Sequence, residues 1–322
     1  MNFNINLHKF VTFIFILILT TSSDSLSKEV NIDRSITAIE NFLNHDTIEI
    51  NTPKGIRSKE DKAKWTFIKT ANGDFMRVKI KVASRGGSSP NNEPRYELAA
   101  YKFQQFFLDS SEYVVPPSVI RPFSIDQYKK YDPRVKPTFK RTNAVICLLQ
   151  YWLQNVSTKN VLDLERFEMD SLYAKHFANL NLFTYLIRHS DSNEGNFLIS
   201  TIPDNPRIFS VDNGLAFGDH YSKLGFKFRK LIVKQFPKTT VDRLKQLSYS
   251  ELVEALSVVA QFKISEGNLI AVPPTKPINV NKGVRRSADI IQFGLTQHEI
   301  HDIWLRLESL LKQFNTNKLQ TF

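Results

Sequence analysis

The sequence predicts an α+β fold of two lobes that share a cleft. Three observations predict it. The first half carries short apolar runs with strand-like alternation, bounded by turn residues. From Leu162 onward the apolar residues recur at helical spacing. One pair of apolar strands, 196–200 and 207–211, is embedded in that helical half. The chain has 322 residues, 42% of them hydrophobic, enough for one large domain or two lobes. We place the first lobe at 27–153 and the second at 154–322, after a leader at 1–26.

The leader reading rests on the apolar run Phe10–Leu19, interrupted only by Thr12. Lys9 precedes it, and the small polar residues Thr20, Thr21, Ser22 and Ser23 follow, then Asp24. That run is roughly half of the ~20 residues that cross a bilayer. A cleaved secretory signal is expected, with an uncleaved anchor as the alternative. No later stretch is apolar enough to span, so a secreted or periplasmic chain with no stable membrane span is expected. Cys147 is the only cysteine and sits in the apolar run Ala144–Leu149, where a buried, inert thiol is expected.

Taken in order, Ile36–Leu43 reads as a short amphipathic helix. Lys64–Thr70 and Phe75–Val82 read as strands joined at Ala71-Asn72-Gly73-Asp74, because Asn-Gly favours a tight hairpin. In the second strand Met76, Val78, Ile80 and Val82 alternate with Arg77, Lys79 and Lys81, giving one apolar and one cationic face. Residues 84–94 read as a loop and Arg95–Leu108 as a helix. Val114–Pro122 and Asn143–Leu153 read as strands flanking an exposed basic hairpin, Tyr128–Arg141. Helices are expected at 162–188, 228–236, 239–246, 249–261 and 295–314, with 265–290 as a proline-bearing loop.

The chemistry-bearing residues concentrate on the embedded strand pair. Asp191 and Asn196 lie five residues apart in His189-Ser190-Asp191-Ser192-Asn193-Glu194-Gly195-Asn196, ahead of one apolar strand. The next strand ends on Asp212-Asn213-Gly214. Phosphoryl transfer requires a base for the acceptor hydroxyl and oxygen ligands for metal ions on the phosphates. The order base, ligand, strand, ligand is that of a kinase catalytic loop and metal-binding loop, with Asp-Asn-Gly in place of Asp-Phe-Gly. Lys79, on the cationic face, and Glu97, early in the next helix, fit the lysine and helix glutamate that hold phosphates. Lys81 shares that face and is the alternative lysine. No G-x-G-x-x-G loop precedes either; only Gly55 and the polar run Arg57–Lys62 stand in that place.

Several further motifs occur in order over most of residues 50–315: Asn72-Gly73, Glu97-Leu98-Ala99-Ala100-Tyr101, Val114-Val115-Pro116-Pro117-Ser118-Val119-Ile120-Arg121, Leu149-Gln150-Tyr151-Trp152, and Asp212-Asn213-Gly214-Leu215-Ala216-Phe217-Gly218. Together they resemble the secreted kinase family of the Golgi casein kinase and four-jointed type with its bacterial relatives, and share motifs with the phosphatidylinositol 4-kinases. The resemblance implies a two-lobed protein-kinase-like fold, with a strand-rich N-lobe and a mainly helical C-lobe. It implies ATP held by Lys79, Glu97 and the hinge around Gln150, with Asp191 as base. It implies Asn196 and Asp212 as ligands of Mg²⁺ or Mn²⁺. The expected acceptor is a hydroxyl of a protein, glycan or small molecule. One departure stands out: the family usually has Asp-Arg-His where this chain has Asp191-Ser192-Asn193. A nucleotide-binding pseudokinase and a lipid or small-molecule kinase are the alternatives.

Other features point elsewhere less strongly. The 43 Lys and Arg against 32 Asp and Glu give a net charge of +11. With no arginine-rich arm and no zinc-type Cys/His spacing, a nucleic-acid partner is not expected. His298, Glu299 and His301 lack a third ligand motif and read as a solvated helix face. His189 reads as structural.

Overall fold

The computed structural model describes residues 30–45, 48–56, 63–90, 92–218 and 227–322. The leader reading of 1–26 and the polar run Arg57–Lys62 lie outside them. Helix α1 (Ile36–Leu43) starts where Ser35 caps it, its hydroxyl accepting from the Ala38 N–H at 3.2 Å. Strands β1 (Ile48–Ile50), β2 (Lys54–Gly55), β3 (Ala63–Thr70) and β4 (Phe75–Val82) follow. The β3–β4 turn is the one that Asn72-Gly73 predicts. Gly73 sits at φ +85°, a conformation open to glycine, and its N–H donates to the Thr70 carbonyl at 3.0 Å.

Helix α2 (Pro94–Gln104) opens on a proline at its first turn, where a missing N–H costs nothing. Strand β5 (Ser118–Ser124), helix α3 (Ile125–Lys129) and strand β6 (Ala144–Tyr151) complete the lobe. The strand expected from Val114 begins at Ser118, because Pro116 and Pro117 have no ladder donors. The strand order is β1-β3-β4-β6-β5, every pair antiparallel. One face buries Met76, Val78, Ile80, Val145, Cys147 and Leu149 against α1. Burial pushes the Cys147 thiol up, as befits an inert core sulfur. The opposite, cationic face is not solvated: Lys79 and Lys81 are 9% and 6% exposed. The basic segment Tyr128–Arg141 is not an exposed hairpin. It forms α3 and turns, with Tyr128, Thr138 and Phe139 buried.

The second lobe opens with β7 (Val156–Ser157), α4 (Leu164–Met169) and α5 (Ser171–Leu186). The single helix expected over 162–188 is broken at Asp170, whose carboxylate caps α5 through the Leu172 and Tyr173 N–H groups. Strands β8 (Phe197–Ser200) and β9 (Ile208–Ser210) pair as expected, with β7 on the free edge of β8. The helix expected at 228–236 is a short 3₁₀ turn and then β10 (Gln235–Phe236), which pairs in parallel with the last strand. Helices α6 (Lys238–Gln246) and α7 (Tyr249–Leu256) follow.

After α7 the structure departs from expectation. Strands β11 (Ala260–Ser265), β12 (Asn268–Ala271), β13 (Val284–Arg286) and β14 (Ile290–Phe293) form a four-stranded antiparallel sheet where a helix end and a loop were expected. Arg285 is 2% exposed, its guanidinium donating to the carbonyls of Ser257, Asn279 and Leu295. Helix α8 (Gln297–Asn315) and β15 (Gln320–Thr321) end the chain. No helix among the described residues is long and apolar enough to cross a membrane. The architecture is a two-lobed α+β fold, with more sheet in its second lobe than the sequence predicts.

Candidate active site

A cavity of about 870 Å³ lies between the lobes. Phe67, Arg77 and Lys79 of β3 and β4 line it from above, Gln150 from the end of β6 and Trp152 from the connection after it, and Leu198, Val211 and Asp212 from the second lobe. That volume falls within the range of small-molecule and cofactor sites.

The period of two along β4 puts Lys79 and Lys81 on the face toward this cleft. Lys79 Nζ lies 3.4 Å from Glu97 Oε1 and 3.9 Å from Asp212 Oδ1, and Lys81 Nζ lies 3.3 Å from Asp212 Oδ1. Glu97, 1% exposed in the first turn of α2, accepts the Asn213 backbone N–H on Oε2 at 3.0 Å. One carboxylate therefore joins a strand lysine to the turn that carries Asp212. Both lysines reach Asp212; the contact to Glu97 is made by Lys79. Asp212 itself is held at φ +64°, the left-handed region that aspartate tolerates better than most side chains. Burial works against its charge, yet the two ammonium groups hold the Asp212 carboxyl below the usual carboxylate range.

Asp191 and Asn196 are brought together as the sequence predicts. Asn196 Nδ2 donates to the Asp191 carbonyl and to Oδ2, each at 2.8 Å. Asn193 Nδ2 donates to Oδ1 at 2.9 Å, and its own Oδ1 accepts the Gly195 N–H at 3.0 Å. These two donors fix the orientation of the carboxylate. Asn196 then connects to the metal-loop candidate: the Val211 N–H donates to its carbonyl at 2.9 Å, one residue before Asp212. Gln150 is 1% exposed, faces Lys79 in the β4–β6 register, and donates to Ser118 Oγ at 3.0 Å.

The oxygen donors fit a hard divalent cation. Asn196 uses its amide nitrogen on Asp191, which leaves Oδ1 for a ligand, and Asp212 is a carboxylate on the cavity wall. No three His, Cys, Asp or Glu side chains of the described residues converge as a cage. Such a site suits a metal whose remaining ligands come from phosphates and water.

The chain course is similar to solved kinases. The matches include the crystal structure of the Golgi casein kinase and that of the Golgi casein kinase with Mn/ADP bound. Each shares 14% identity over 86% of this chain and 75% of that chain, with a TM-score of 0.46. No family model and no curated protein matches.

Two site features escaped the sequence reading. The sequence marks Asn193 only as a departure from a family pattern, yet it clamps Asp191. Its signal is local, since an asparagine side chain readily accepts the backbone N–H two residues on, here that of Gly195. For Arg77 the sequence gives only a place on the cationic face of β4. Its guanidinium sits 4.2 Å from the Trp65 ring and 4.4 Å from the Trp152 ring, and it lines the cavity. Glu299 is a correction. It is 8% exposed rather than solvated, and it pairs with Arg95, while His298 and His301 on the same helix are exposed.

Proposed function

We propose that this chain is an ATP-dependent phosphotransferase, secreted or periplasmic, that moves the γ-phosphate to a hydroxyl of a protein or glycan acceptor. The observation that carries the reading is the convergence of Lys79, Glu97 and Asp212 at one wall of the interlobe cavity. Lys79 holds phosphate oxygens and Glu97 orients Lys79. Gln150 lies along the nucleotide. Asn196 and Asp212 hold Mg²⁺ or Mn²⁺, which when bound neutralises phosphate charge. Asp191, fixed by Asn193 and Asn196, accepts the proton of the acceptor hydroxyl as its oxygen attacks phosphorus and ADP leaves.

Nucleotide with Mn²⁺ at about a hundred times its Kd stabilises a folded chain by roughly 2.7 kcal/mol, a rise of about 5 °C in Tm for a protein of this size. Thermal melts of the wild type should show that rise, and Asp212→Ala should erase it. An equal rise in the variant would mean that nucleotide is held elsewhere.

A further inference from the structure

We propose that Arg95 and Glu299 are positioning residues for the reaction, pinning the first turn of α2 so that Glu97 meets Lys79 and the Asn213 N–H. The inference rests on the phosphotransferase reading above.

The first turn of α2 lacks a local cap, since the Glu93 side chain makes no capping hydrogen bond to it. A clamp from the far end of the chain holds it instead. Arg95 Nη1 and Nη2 donate to Glu299 Oε2 and Oε1 at 2.7 and 2.9 Å, across 204 residues of sequence. Arg95 Nη1 also reaches the Gly294 carbonyl at 3.2 Å, and Nε reaches Glu93 Oε2 at 3.0 Å. Arg95 and Glu299 are both 8% exposed. The two parallel bonds fix the angle of the guanidinium as well as its distance.

Glu299 is itself rigid. It is the third residue of α8 in a reciprocal capping box, its Oε2 accepting the Thr296 N–H at 2.7 Å and its own N–H donating to Thr296 Oγ at 3.2 Å. It also accepts the Tyr96 hydroxyl. The cradle is shaped for a guanidinium: a Cβ at Gly283 would lie 2.3–2.5 Å from the Arg95 head group.

Arg95 and Glu97 are two positions apart, about 200° around the helix, so they point to opposite sides of one turn. Arg95 is gripped by α8 on one side, and Glu97 reaches Lys79 and Asn213 on the other. Tyr96, between them, packs against Phe217 of the segment after Asp212, with ring centroids 5.6 Å apart. A turn released from α8 is free to roll, which draws Glu97 away from Lys79.

The test is a double-substitution cycle on the full chain, with transfer and nucleotide·Mn²⁺ affinity both measured per folded molecule. Glu299→Gln keeps size and removes charge. It should lower kcat by about tenfold to a hundredfold, the usual cost of slight misplacement, with a much smaller change in nucleotide KM. On a Glu97→Gln background the same substitution should cost less than about twofold, because the group it positions is already lost. Arg95→Lys, which keeps the charge and loses the fork, and Gly283→Ala, which crowds the guanidinium from outside the cleft, should each lower kcat in the same direction. Equal losses in both backgrounds, or a lower Tm with kcat per folded molecule intact, would overturn the inference. Absence of transfer in the wild type would sink the phosphotransferase reading instead. The cycle then reads on the smaller change in nucleotide·Mn²⁺ affinity, where a loss from Glu299→Gln in the wild type but not in Glu97→Gln supports positioning, and an equal loss or none refutes it.

Discussion

The Asn213 backbone N–H donates to Glu97 Oε2 at 3.0 Å, while Lys79 Nζ stands 3.4 Å from the other oxygen of the same carboxylate. Glu97 therefore couples the strand lysine to the turn bearing Asp212. Glu97→Gln keeps the shape but can accept on one atom only, leaving a lysine or a buried N–H short of a partner. Transfer should fall by about tenfold or more, with nucleotide affinity changing less. Steady-state kinetics with counted active sites measures both, and an unchanged kcat would mean that the contact is structural.

The two lysines should separate cleanly. Lys79 touches Glu97 and Asp212, whereas Lys81 Nζ holds Asp212 Oδ1 at 3.3 Å. Lys79→Met should abolish measurable transfer. Lys81→Met removes a cation that competes with metal for Asp212, so half-saturation by Mn²⁺ should move to lower concentration. Metal titrations of the two variants decide this, and the reverse ranking would exchange the roles of the lysines.

Acid should destabilise the protein before its carboxylates titrate. His189 is fully buried with neither ring nitrogen hydrogen-bonded among the described residues, and burial pushes its pKa down to about 4 against the opposing pull of Asp191 and Asp212. His176, 6% exposed, is likewise pushed to about 4 by burial and then by Arg207 and Lys175. Each folded value lies below the unfolded value of about 6.5, so the unfolded chain binds more protons in between. The stability is complete above pH 6.5 and lost as pH falls from there toward about 4, at up to about 1.4 kcal/mol per pH unit for each histidine. Urea midpoints across that window should slope accordingly, and His189→Leu should remove about half the slope. A slope unchanged by His189→Leu would place the acid sensitivity elsewhere.

What was legible in the sequence was local. Asn72-Gly73 marked its hairpin, the alternation through Phe75–Val82 placed Lys79, and Asp191, Asn196 and Asp212 flanked two short strands, all as the structure has them. Most of what failed was decided at long range. Ala260–Ser265 followed a helical run without a break; it is a strand through a hairpin with Asn268–Ala271 across Glu266-Gly267 and through Ile290–Phe293, across a proline-bearing stretch. The basic Tyr128–Arg141 segment looked solvated, but Phe139 is buried against Phe293, which belongs to that unforeseen sheet. Thr296-x-x-Glu299 was readable as a helix start. Nothing near it in sequence announces Arg95, which turns Glu299 from a surface residue into a buried partner.

The central claim is that Asp191 serves as base in phosphate transfer from ATP. The most direct measurement is transfer of labelled γ-phosphate in Mn²⁺, to the chain itself or to envelope extracts, normalised to nucleotide-binding sites. Asp191→Asn keeps size and removes the base, so transfer should fall by about 10²–10⁴-fold while nucleotide affinity holds, because Lys79, Asn196 and Asp212 remain. Transfer unaffected by Asp191→Asn, or tight nucleotide binding by a wild type that transfers nothing with any divalent metal, would contradict it.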